Sequence, residues 1–526
     1  MDDAWSWLAT LPEPSQWPST PPSLALASAD SKSICLAADR TAGSDADALL
    51  TFSITFHGFH TSSPSRTLWL SDPVSPSSLH IPLLLQLLRE SVSMSPSSFS
   101  LSSMKLDQEA ISDALGEDEQ APAFLSLALL LRLFWLCATE APADAGFLFF
   151  RALDPPLEHA LSCRLALRGV LLALGPDVEE SFMRSLGYML CKWCILRELQ
   201  GSGASRLLPP GCCPSYAAER HGLWVLRGFA PVPAMARVGV TGSSGGPKLE
   251  VKDSVLRYAL AHQQLEAVVQ LEYNVCMRDP RFIRVSVRVD NIRLHVVRLR
   301  FGRRKDGEDG EEAGEDEGDV EGERHFPSRA RVWVGPELGS SYATGPSLGR
   351  SSGNPAREVE AMRTVKGRFW GGKTAGVKAA ARTATRALAR SWRWEQEAEG
   401  GAGVFEGVIH DGATGTEVAA WRPVVGAGGG GDPRGGMRRR YSGWGRAFSK
   451  AGGVVVAGDE VPEAVEWRVG REMEGRVVRW RLAGRVWVSY FANEVKTGYF
   501  ETRSAEWRED VDLALVAGTN ELTVTT

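Results

Sequence analysis

The C-terminal half of the chain alternates apolar and polar residues. In RFIRVSVRV (281–289) every second residue from Ile283 onward is apolar, which is the pattern of a half-buried strand. Asp290 and Asn291 then favour a two-residue turn. After them IRLHVV (292–297) resumes the alternation and ends in two valines that shift its phase. These residues predict a hairpin with a bulge.

Runs of the same kind recur at short intervals along this half, and we interpret each as a strand. They are RARVWVG, GVFEGVIHD, TEVAAWRP, GVVVAGD, AVEWRVG, RVVRWRLA, RVWVSYF and TGYFETR. Short strands separated by turn residues are typical of sandwiches and barrels. We therefore expect an antiparallel β-sandwich or open barrel that is interrupted by disordered charged insertions.

The N-terminal half has a different pattern. SICLAA, ALLTFSITFHGF and RTLWLSD read as short strands, and the residues after them are leucine-rich over helical lengths. After a first helix near residue 80, we predict helices at Ala123–Ala138, Leu157–Leu174 and Asp177–Gln200. Ala123–Ala138 is short for a membrane span and contains Arg132, which favours a buried helix and no transmembrane segment. The predicted fold class is α+β, with short strands and a helical cluster in the N-terminal part.

Glycine, proline and serine concentrate near the middle of the chain, and we place a domain boundary there. The predicted organisation is an N-terminal α+β domain over 1–205, a Gly/Pro/Ser-rich connection over 206–250 and an antiparallel β-rich domain over 251–526. Within the last domain we place an acidic loop at 303–325 and a basic segment at 362–394. A chain of 526 residues exceeds what one core usually organises, which favours two domains.

Charge is separated along the chain, although the formal net charge is only -5. Eleven carboxylates and no basic residue lie between Asp306 and Glu323, whereas nine Lys and Arg and no acid lie between Met362 and Trp394. An acidic block laden with glycine cannot bury enough apolar surface to fold. We therefore expect a disordered surface loop there.

The basic segment repeats a cation at every fourth residue in TAGVKAAARTATRALARSWRW (374–394). On a helix this spacing gives one stripe, so we predict a basic helix. Phospholipid headgroups, RNA or an acidic protein surface would each satisfy such a stripe, and the alternative is a solvated or disordered basic linker. The candidate anion-binding residues are Lys378, Arg382, Arg386, Arg390 and Arg393.

Ser442 is a candidate phosphorylation site. The arginines of RRRYS (438–442) match the sequence that basophilic kinases accept. A phosphate there would cancel part of the local positive charge. Short motifs of this kind also arise by chance, so an unmodified serine is the alternative.

Catalytic and metal-binding patterns are not legible in the sequence. Cys191 and Cys194, with Cys212 and Cys213, offer four thiols, but adjacent cysteines do not form the usual zinc knuckle. The pair in CKWC lies in an apolar helical pattern, so we interpret both as buried core thiols. We predict no catalytic residue, no metal site and no cofactor. The alternative is an enzyme whose polar residues converge only in the folded chain.

The opening residues MDDAWSWLATLP have neither the positive region nor the long apolar region of a secretory signal. Eight cysteines in a chain of this length do not form a dense disulfide framework, so we expect reduced thiols. These features predict an intracellular protein of the cytoplasm or nucleus. Peripheral attachment to membranes remains open.

Long segments of the chain resemble a known family. They are WVGPELGSSYATGPSLGRSSGNPAREVE, SWRWEQEAEG, EVAAWRP, FSKAGGVVVAGDE, the run from EWRVGREMEG to EDVDLALV, and the opening MDDAWSWLATLP. On these residues the chain resembles an uncharacterised plant-specific family, some of whose members are labelled formin-like. The resemblance implies no activity, cofactor or site residue. Formins need a long proline-rich segment, whereas prolines here occur at most in pairs such as Pro21 and Pro22.

These observations favour a non-enzymatic binding or scaffold protein. Its basic segment would contact anionic membrane headgroups or an acidic protein partner that the sequence does not identify. A nuclear protein associated with nucleic acid is the first alternative, although the chain contains no RNA-reading motif. An enzyme with an illegible site is the second alternative, and a formin-like actin regulator is the least favoured.

Overall fold

The chain divides into two compact units in the computed structural model. The first unit consists of Met1–Tyr216, Gly228–Leu265 and Val297–Gly310, and the second of Ala217–Arg227, Glu266–Val296 and Glu311–Thr526. The structure describes residues 4–12, 21–40, 49–59, 64–76, 79–94, 107–116, 119–153, 157, 160–199, 213–234, 261–299, 325–349, 357–369, 377–389, 392–409, 453–458, 461–491 and 500–516.

Helices dominate the first unit. Their apolar side chains form one core, in which the rings of Phe124, Phe134, Trp135 and Phe182 are fully buried. The helices are α1 (Ala4–Ala9), α2 (His80–Ser93), α3 (Gln108–Leu115), α4 (Ala121–Thr139), α5 (Ala143–Ala152), α6 (Arg164–Leu174) and α7 (Pro176–Leu199).

Helix α4 is apolar on all sides because the core surrounds it. Among the described residues it is the one helix that is long and apolar enough to cross a membrane, and 83% of its apolar window is buried inside the protein. Its charged residue, Arg132, donates from Nε to Oε2 of Glu90 on α2 at 2.5 Å. This environment is typical of a core helix, and it confirms the predicted buried helix.

The first unit also contains a four-stranded antiparallel sheet. Its strands are β1 (Ser23–Ala29), β2 (Lys32–Arg40), β3 (Leu50–His57) and β4 (Ser65–Leu70), in the order β1-β2-β3-β4. In β2 the alternate residues Ile34, Leu36 and Ala38 are buried, which is the period of a strand with one face on the core. The predicted short strands of this region are confirmed.

The remaining strands form three further sheets. The first is seven-stranded, in the order β10-β16-β8-β7-β6-β5, with β15 paired to β8. The second is five-stranded, in the order β13-β14-β9-β17-β18. The third consists of β11 and β12. The strands are β5 (Ser215–Arg220), β6 (Leu223–Ala234), β7 (Ala261–Cys276), β8 (Phe282–Leu299), β9 (Phe326–Pro336), β10 (Ala343–Ser347), β11 (Arg357–Phe369), β12 (Val377–Ala389), β13 (Trp392–Glu399), β14 (Ala402–Ile409), β15 (Gly453–Ala457), β16 (Val465–Gly470), β17 (Val477–Phe491) and β18 (Phe500–Ala514).

Tryptophan rings join the two large sheets within the second unit. The ring of Trp480 on β17 lies 4.8 Å from that of Trp467 on β16 and 6.0 Å from that of Trp224 on β6, measured between centroids. At Gly403 on β14 an added Cβ would lie 2.6 Å from the side chain of Val465 on β16, so glycine permits this close approach. Two open antiparallel sheets in face-to-face contact form a sandwich, and the predicted α+β fold is confirmed.

The predicted hairpin at Asp290 and Asn291 is wrong, because β8 runs through these residues without a turn. The first part of β8 pairs with β16, and from Asn291 onward it pairs with β15. Val289 and Ile292 are both buried, so the two polar residues between them shift the phase of the alternation within one strand. Such a phase shift is compatible with an irregular strand as well as with a turn.

The predicted basic helix is also wrong, because Lys378, Arg382 and Arg386 lie on strand β12. Thirteen residue pairs join β12 to β11 in antiparallel register, from Arg357↔Ala389 to Phe369↔Val377. A spacing of four residues places cations on one side of a helix, but it also places them on one face of a strand. Strand pairing therefore overrides the helix propensity of the alanines.

Several predicted segments lie outside the described residues. They include most of the acidic loop at 303–325 and the run TEVAAWRP. The strands on either side of the acidic loop, β8 and β9, belong to different sheets. The predicted connection at 206–250 contains strands β5 and β6 of the seven-stranded sheet.

Candidate anion-binding hairpin

The hairpin of β11 and β12 sets three of the predicted basic residues in fixed register. Lys378 pairs with Arg368, Arg382 with Thr364, and Arg386 with Glu360. Paired residues of an antiparallel sheet lie on the same face. The three cations of β12 therefore share one face with the even-numbered residues of β11.

This shared face, which we call the basic face, contains more cations than the predicted stripe. Lys366 and Arg368 on β11 lie on it, and sequence reasoning did not select them as site residues. A search for cations at intervals of two residues would have found both. The basic positions of the face are Lys366, Arg368, Lys378, Arg382 and Arg386, and its acidic positions are Glu358 and Glu360.

Both acids of the basic face lie toward one end, and the charged positions at the other end are all cations. The acids Glu358 and Glu360 lie at the end of the hairpin where β11 begins, and Glu360 is directly opposite Arg386. Arg368 and Lys378 lie at the other end and are directly opposite each other. Opposite charges in such pairs stabilise a sheet, whereas like charges destabilise it. The Arg368–Lys378 end is therefore the one at which an external anion would relieve repulsion.

The opposite face of the hairpin is mostly small or apolar. On β12 it contains alanines, a valine and the two threonines Thr383 and Thr385, and on β11 it contains Val359, Val365 and Phe369. Two cations, Arg357 and Arg363, also lie on this face. The hairpin is therefore amphipathic by position, with its charge concentrated on the basic face.

The other predicted site residues do not join the hairpin in the described part of the chain. Arg390 and Ser442 lie outside the described residues. Arg393 lies on β13 of the five-stranded sheet, where it is exposed and pairs with Val408. The four described cations of the predicted group are therefore divided between two sheets.

The outer face of the five-stranded sheet is a second charged surface that sequence reasoning missed. Arg329 on β9 forms an ion pair with Glu406 on β14. The guanidinium carbon of Arg329 also lies 4.9 Å from the ring centroid of Trp487 on β17, within the range of cation–π attraction. Both an acid and an aromatic ring thus hold this arginine.

The neighbouring arginines of that surface are also paired with carboxylates. Nη2 of Arg331 lies 2.8 Å from Oε2 of Glu397 on β13, and Nε of Arg485 on β17 donates to Oε2 of Glu506 on β18 at 2.8 Å. Ion pairs of this kind leave little net positive charge for an external anion. The outer face of the five-stranded sheet is therefore a weaker candidate for anion binding than the basic face.

Besides Arg132, a second buried cation lies in the first unit. Lys192 on α7 is 2% exposed, and its Nζ lies 5.3 Å from the ring centroid of Tyr188. Burial lowers the pKa of Lys192 to about 8 and raises the pKa of the Tyr188 hydroxyl. Groups with such shifts often occur at functional sites, but structural clusters have them too.

The predicted core thiols Cys191 and Cys194 are both buried on α7. Cys213 is partly exposed and Cys212 lies outside the described residues. Within the described ranges, no three His, Cys, Asp or Glu side chains form a group that could hold a metal ion.

Comparison with protein-family models finds no matching model, and comparison with curated proteins finds no similar sequence. Among solved structures, Clostridium perfringens delta-toxin has 10% sequence identity and a TM-score of 0.20, over 56% of this chain and 95% of that chain. A pore forming protein has 8% identity and a TM-score of 0.19, over 57% of this chain and 94% of that chain. TM-scores this low do not support the transfer of function from either protein.

Proposed function

We propose that this chain is a non-enzymatic binding protein whose β11–β12 hairpin binds anionic phospholipid headgroups through its basic face. The observation that carries the proposal is the register, which brings Arg368 and Lys378 directly opposite each other among further cations. Phosphate oxygens between two such cations would offset a repulsion that the hairpin alone does not relieve.

The number of cations suits reversible attachment to a membrane. Clusters of four to eight Lys and Arg bind anionic lipid, and each contributes about 1 kcal/mol near the surface. The basic face has five cations and two acids, so we expect roughly 3–5 kcal/mol of attraction. Such binding is weak enough to reverse and falls steeply with salt.

The sequence favours lipid over nucleic acid as the ligand, because it contains no RNA-reading motif. The formal net charge of -5 opposes long-range attraction of both ligands, so binding depends on the local charge of the basic face. A two-stranded ribbon does fit the major groove of duplex DNA, so nucleic acid has to be included in the test. Anionic lipids are abundant in the cytoplasmic leaflet, which agrees with a peripheral protein on the cytoplasmic side.

The test compares vesicle binding of the full chain with that of two matched triple variants. Lys378→Gln, Arg382→Gln and Arg386→Gln together remove charge from the basic face. Arg293→Gln, Arg479→Gln and Arg481→Gln remove the same charge from β8 and β17. At about 1 kcal/mol per cation, the first variant should lose roughly 100-fold in affinity for vesicles containing phosphatidylserine, and the second should bind almost as the unmodified chain does.

Two other outcomes would contradict the proposal. Equal loss in both variants would mean that net charge decides binding and would contradict the proposed site. Tighter binding to duplex DNA or RNA than to anionic vesicles would favour the nucleic-acid alternative. Thermal unfolding of all three proteins controls for misfolding.

A further inference from the structure

The basic face carries one hydroxyl among its paired positions. Thr364 lies near the middle of β11 and is directly opposite Arg382. Lys366 follows two residues later on the same face. The other threonines of the hairpin, Thr383 and Thr385, lie on the opposite face. Thr364 is therefore the position at which added negative charge would act most directly on the cations.

The residues around Thr364 suit a kinase that prefers basic substrates. Arg363 precedes it, and Lys366 and Arg368 follow within four residues. In the described part of the chain, β11 pairs with β12 and with no other strand. A two-stranded hairpin is only marginally stable in water, so β11 can separate from β12 and present an extended segment.

We propose that Thr364 is a phosphorylation site that controls headgroup binding by the basic face. A protein kinase would supply the phosphoryl group from ATP. The hydroxyl oxygen of Thr364 forms a bond to the γ-phosphorus while the bond from that phosphorus to the β–γ bridging oxygen breaks. ADP leaves, and the hydroxyl proton passes to a basic group of the kinase. The effect on lipid binding rests on the proposed function, whereas the modification itself does not.

The charge introduced is large relative to that of the face. A phosphothreonine carries about −1.5 to −2 charges at neutral pH, against five cations and two acids on the basic face. Its position is directly opposite Arg382 in the register, so its charge would offset part of the positive charge of the face. With two positive charges offset, the affinity for anionic lipid should fall roughly 30-fold.

The experiment uses the full chain made with phosphothreonine at position 364 or, as a matched control, at position 383. Binding is measured to vesicles of phosphatidylcholine with about 30% phosphatidylserine near 0.1 M salt. Phosphorylation at Thr364 should lower the affinity roughly 30-fold, and phosphorylation at Thr383 by less than about fivefold. An equal loss of affinity at both positions, or no loss of affinity on phosphorylation of Thr364, would overturn the proposed regulation of lipid binding.

A second arm tests the modification apart from lipid binding. The full chain and its Thr364→Val variant are incubated with ATP and a kinase that prefers basic substrates, and the phosphate is mapped by mass spectrometry. We expect Thr364 to take up phosphate, and Thr364→Val to lose the signal at position 364. An unmodified Thr364 would overturn the proposal. If the unmodified chain fails to bind vesicles while Thr364 is phosphorylated, the proposed function fails and the modification stands.

Discussion

Arg368 and Lys378 occupy directly opposite positions in the register of the β11–β12 hairpin. Two like charges that are directly opposite each other destabilise a strand pair by about 0.2–1 kcal/mol. The hairpin retains both, together with three further cations on the same face. A ligand that brings negative charge between them would convert a destabilising pair into a binding site.

The variant Lys378→Glu tests this relationship. An opposite-charge pair with Arg368 should stabilise the hairpin by about 0.5–1 kcal/mol and slow the hydrogen exchange of its amides. The same change should weaken binding to anionic vesicles, because it reverses one charge of the face. Lys378→Gln is the control and should have an intermediate effect on both. Faster exchange in Lys378→Glu than in the unmodified chain would contradict the inferred repulsion.

The acidic block from Asp306 to Glu323 is expected to compete with external anions for the basic face. Its eleven carboxylates would lower the affinity for lipid, and replacing them by their amides keeps the chain length between β8 and β9. The substituted protein should bind anionic vesicles more tightly and with a steeper dependence on salt.

The gain from neutralising the acidic block should disappear when Lys378, Arg382, Arg386 and Arg390 are also replaced by Gln. Vesicle binding across a series of salt concentrations measures both effects. Equal affinity of the unmodified chain, the amide variant and the combined variant would exclude competition between the two charged segments.

The ion pair of Glu90 and Arg132 is expected to contribute to the stability of the first unit. Glu90 also accepts hydrogen bonds from Trp69 Nε1 at 2.7 Å and Gln86 Nε2 at 2.8 Å. Glu90→Ala leaves the buried Arg132 without this partner and should lower the free energy of unfolding by about 3–5 kcal/mol. Urea titration of the unmodified chain and of Glu90→Ala measures this loss of stability.

A double replacement distinguishes the effect of losing the whole ion pair from the effect of leaving Arg132 buried without its partner. Glu90→Leu combined with Arg132→Leu removes both charges, so it should restore much of the stability that Glu90→Ala loses. A double variant as unstable as Glu90→Ala would mean that the hydrogen bonds to Trp69 and Gln86 matter more than the uncompensated charge of Arg132.

Lys192 should make stability depend on pH above neutrality. Burial lowers its pKa from 10.5 to about 8 in the folded chain. Below pH 8 both the folded and the unfolded chain bind the proton. Between pH 8 and 10.5 the unfolded chain binds more protons, so the free energy of unfolding rises with pH. The full rise is about 3 kcal/mol at 1.36 kcal/mol per pH unit.

Comparison of the unmodified chain with Lys192→Met isolates this contribution from the titration of tyrosines. Urea titrations at intervals from pH 7.5 to about 10 give the free energy of unfolding of both proteins. The free energy of unfolding of the unmodified chain should rise with pH relative to that of Lys192→Met across this range. A constant difference would mean that Lys192 keeps an ordinary pKa in the folded chain.

Strand alternation made much of the fold predictable. The buried alternate residues of β8 and β16, such as Ile283, Val285 and Trp467, have a period of two that is readable without a structure. The buried helix α4 was also predictable, because an apolar run of its length that contains Arg132 suits a protein core. Which strands share a sheet was not predictable, since pairing depends on contacts between distant residues.

The conformation of the basic segment could not be decided from its spacing. Lys378, Arg382 and Arg386 are four residues apart, and that interval fits one side of a helix and one face of a strand equally well. What decides between them is the pairing with β11, whose Val359 and Val365 favour a strand. Once that pairing is recognised, Lys366 and Arg368 follow as members of the face.

Amide hydrogen exchange in the presence of vesicles tests the central claim most directly. The full chain is measured alone, with phosphatidylcholine vesicles, and with vesicles that also contain phosphatidylserine. Binding through the basic face should slow amide exchange in 357–369 and 377–389 only when the vesicles contain phosphatidylserine. Amide exchange in the five-stranded sheet should stay unchanged. Vesicle binding without slower exchange in these two strands would contradict the assignment of the hairpin as the anion-binding site.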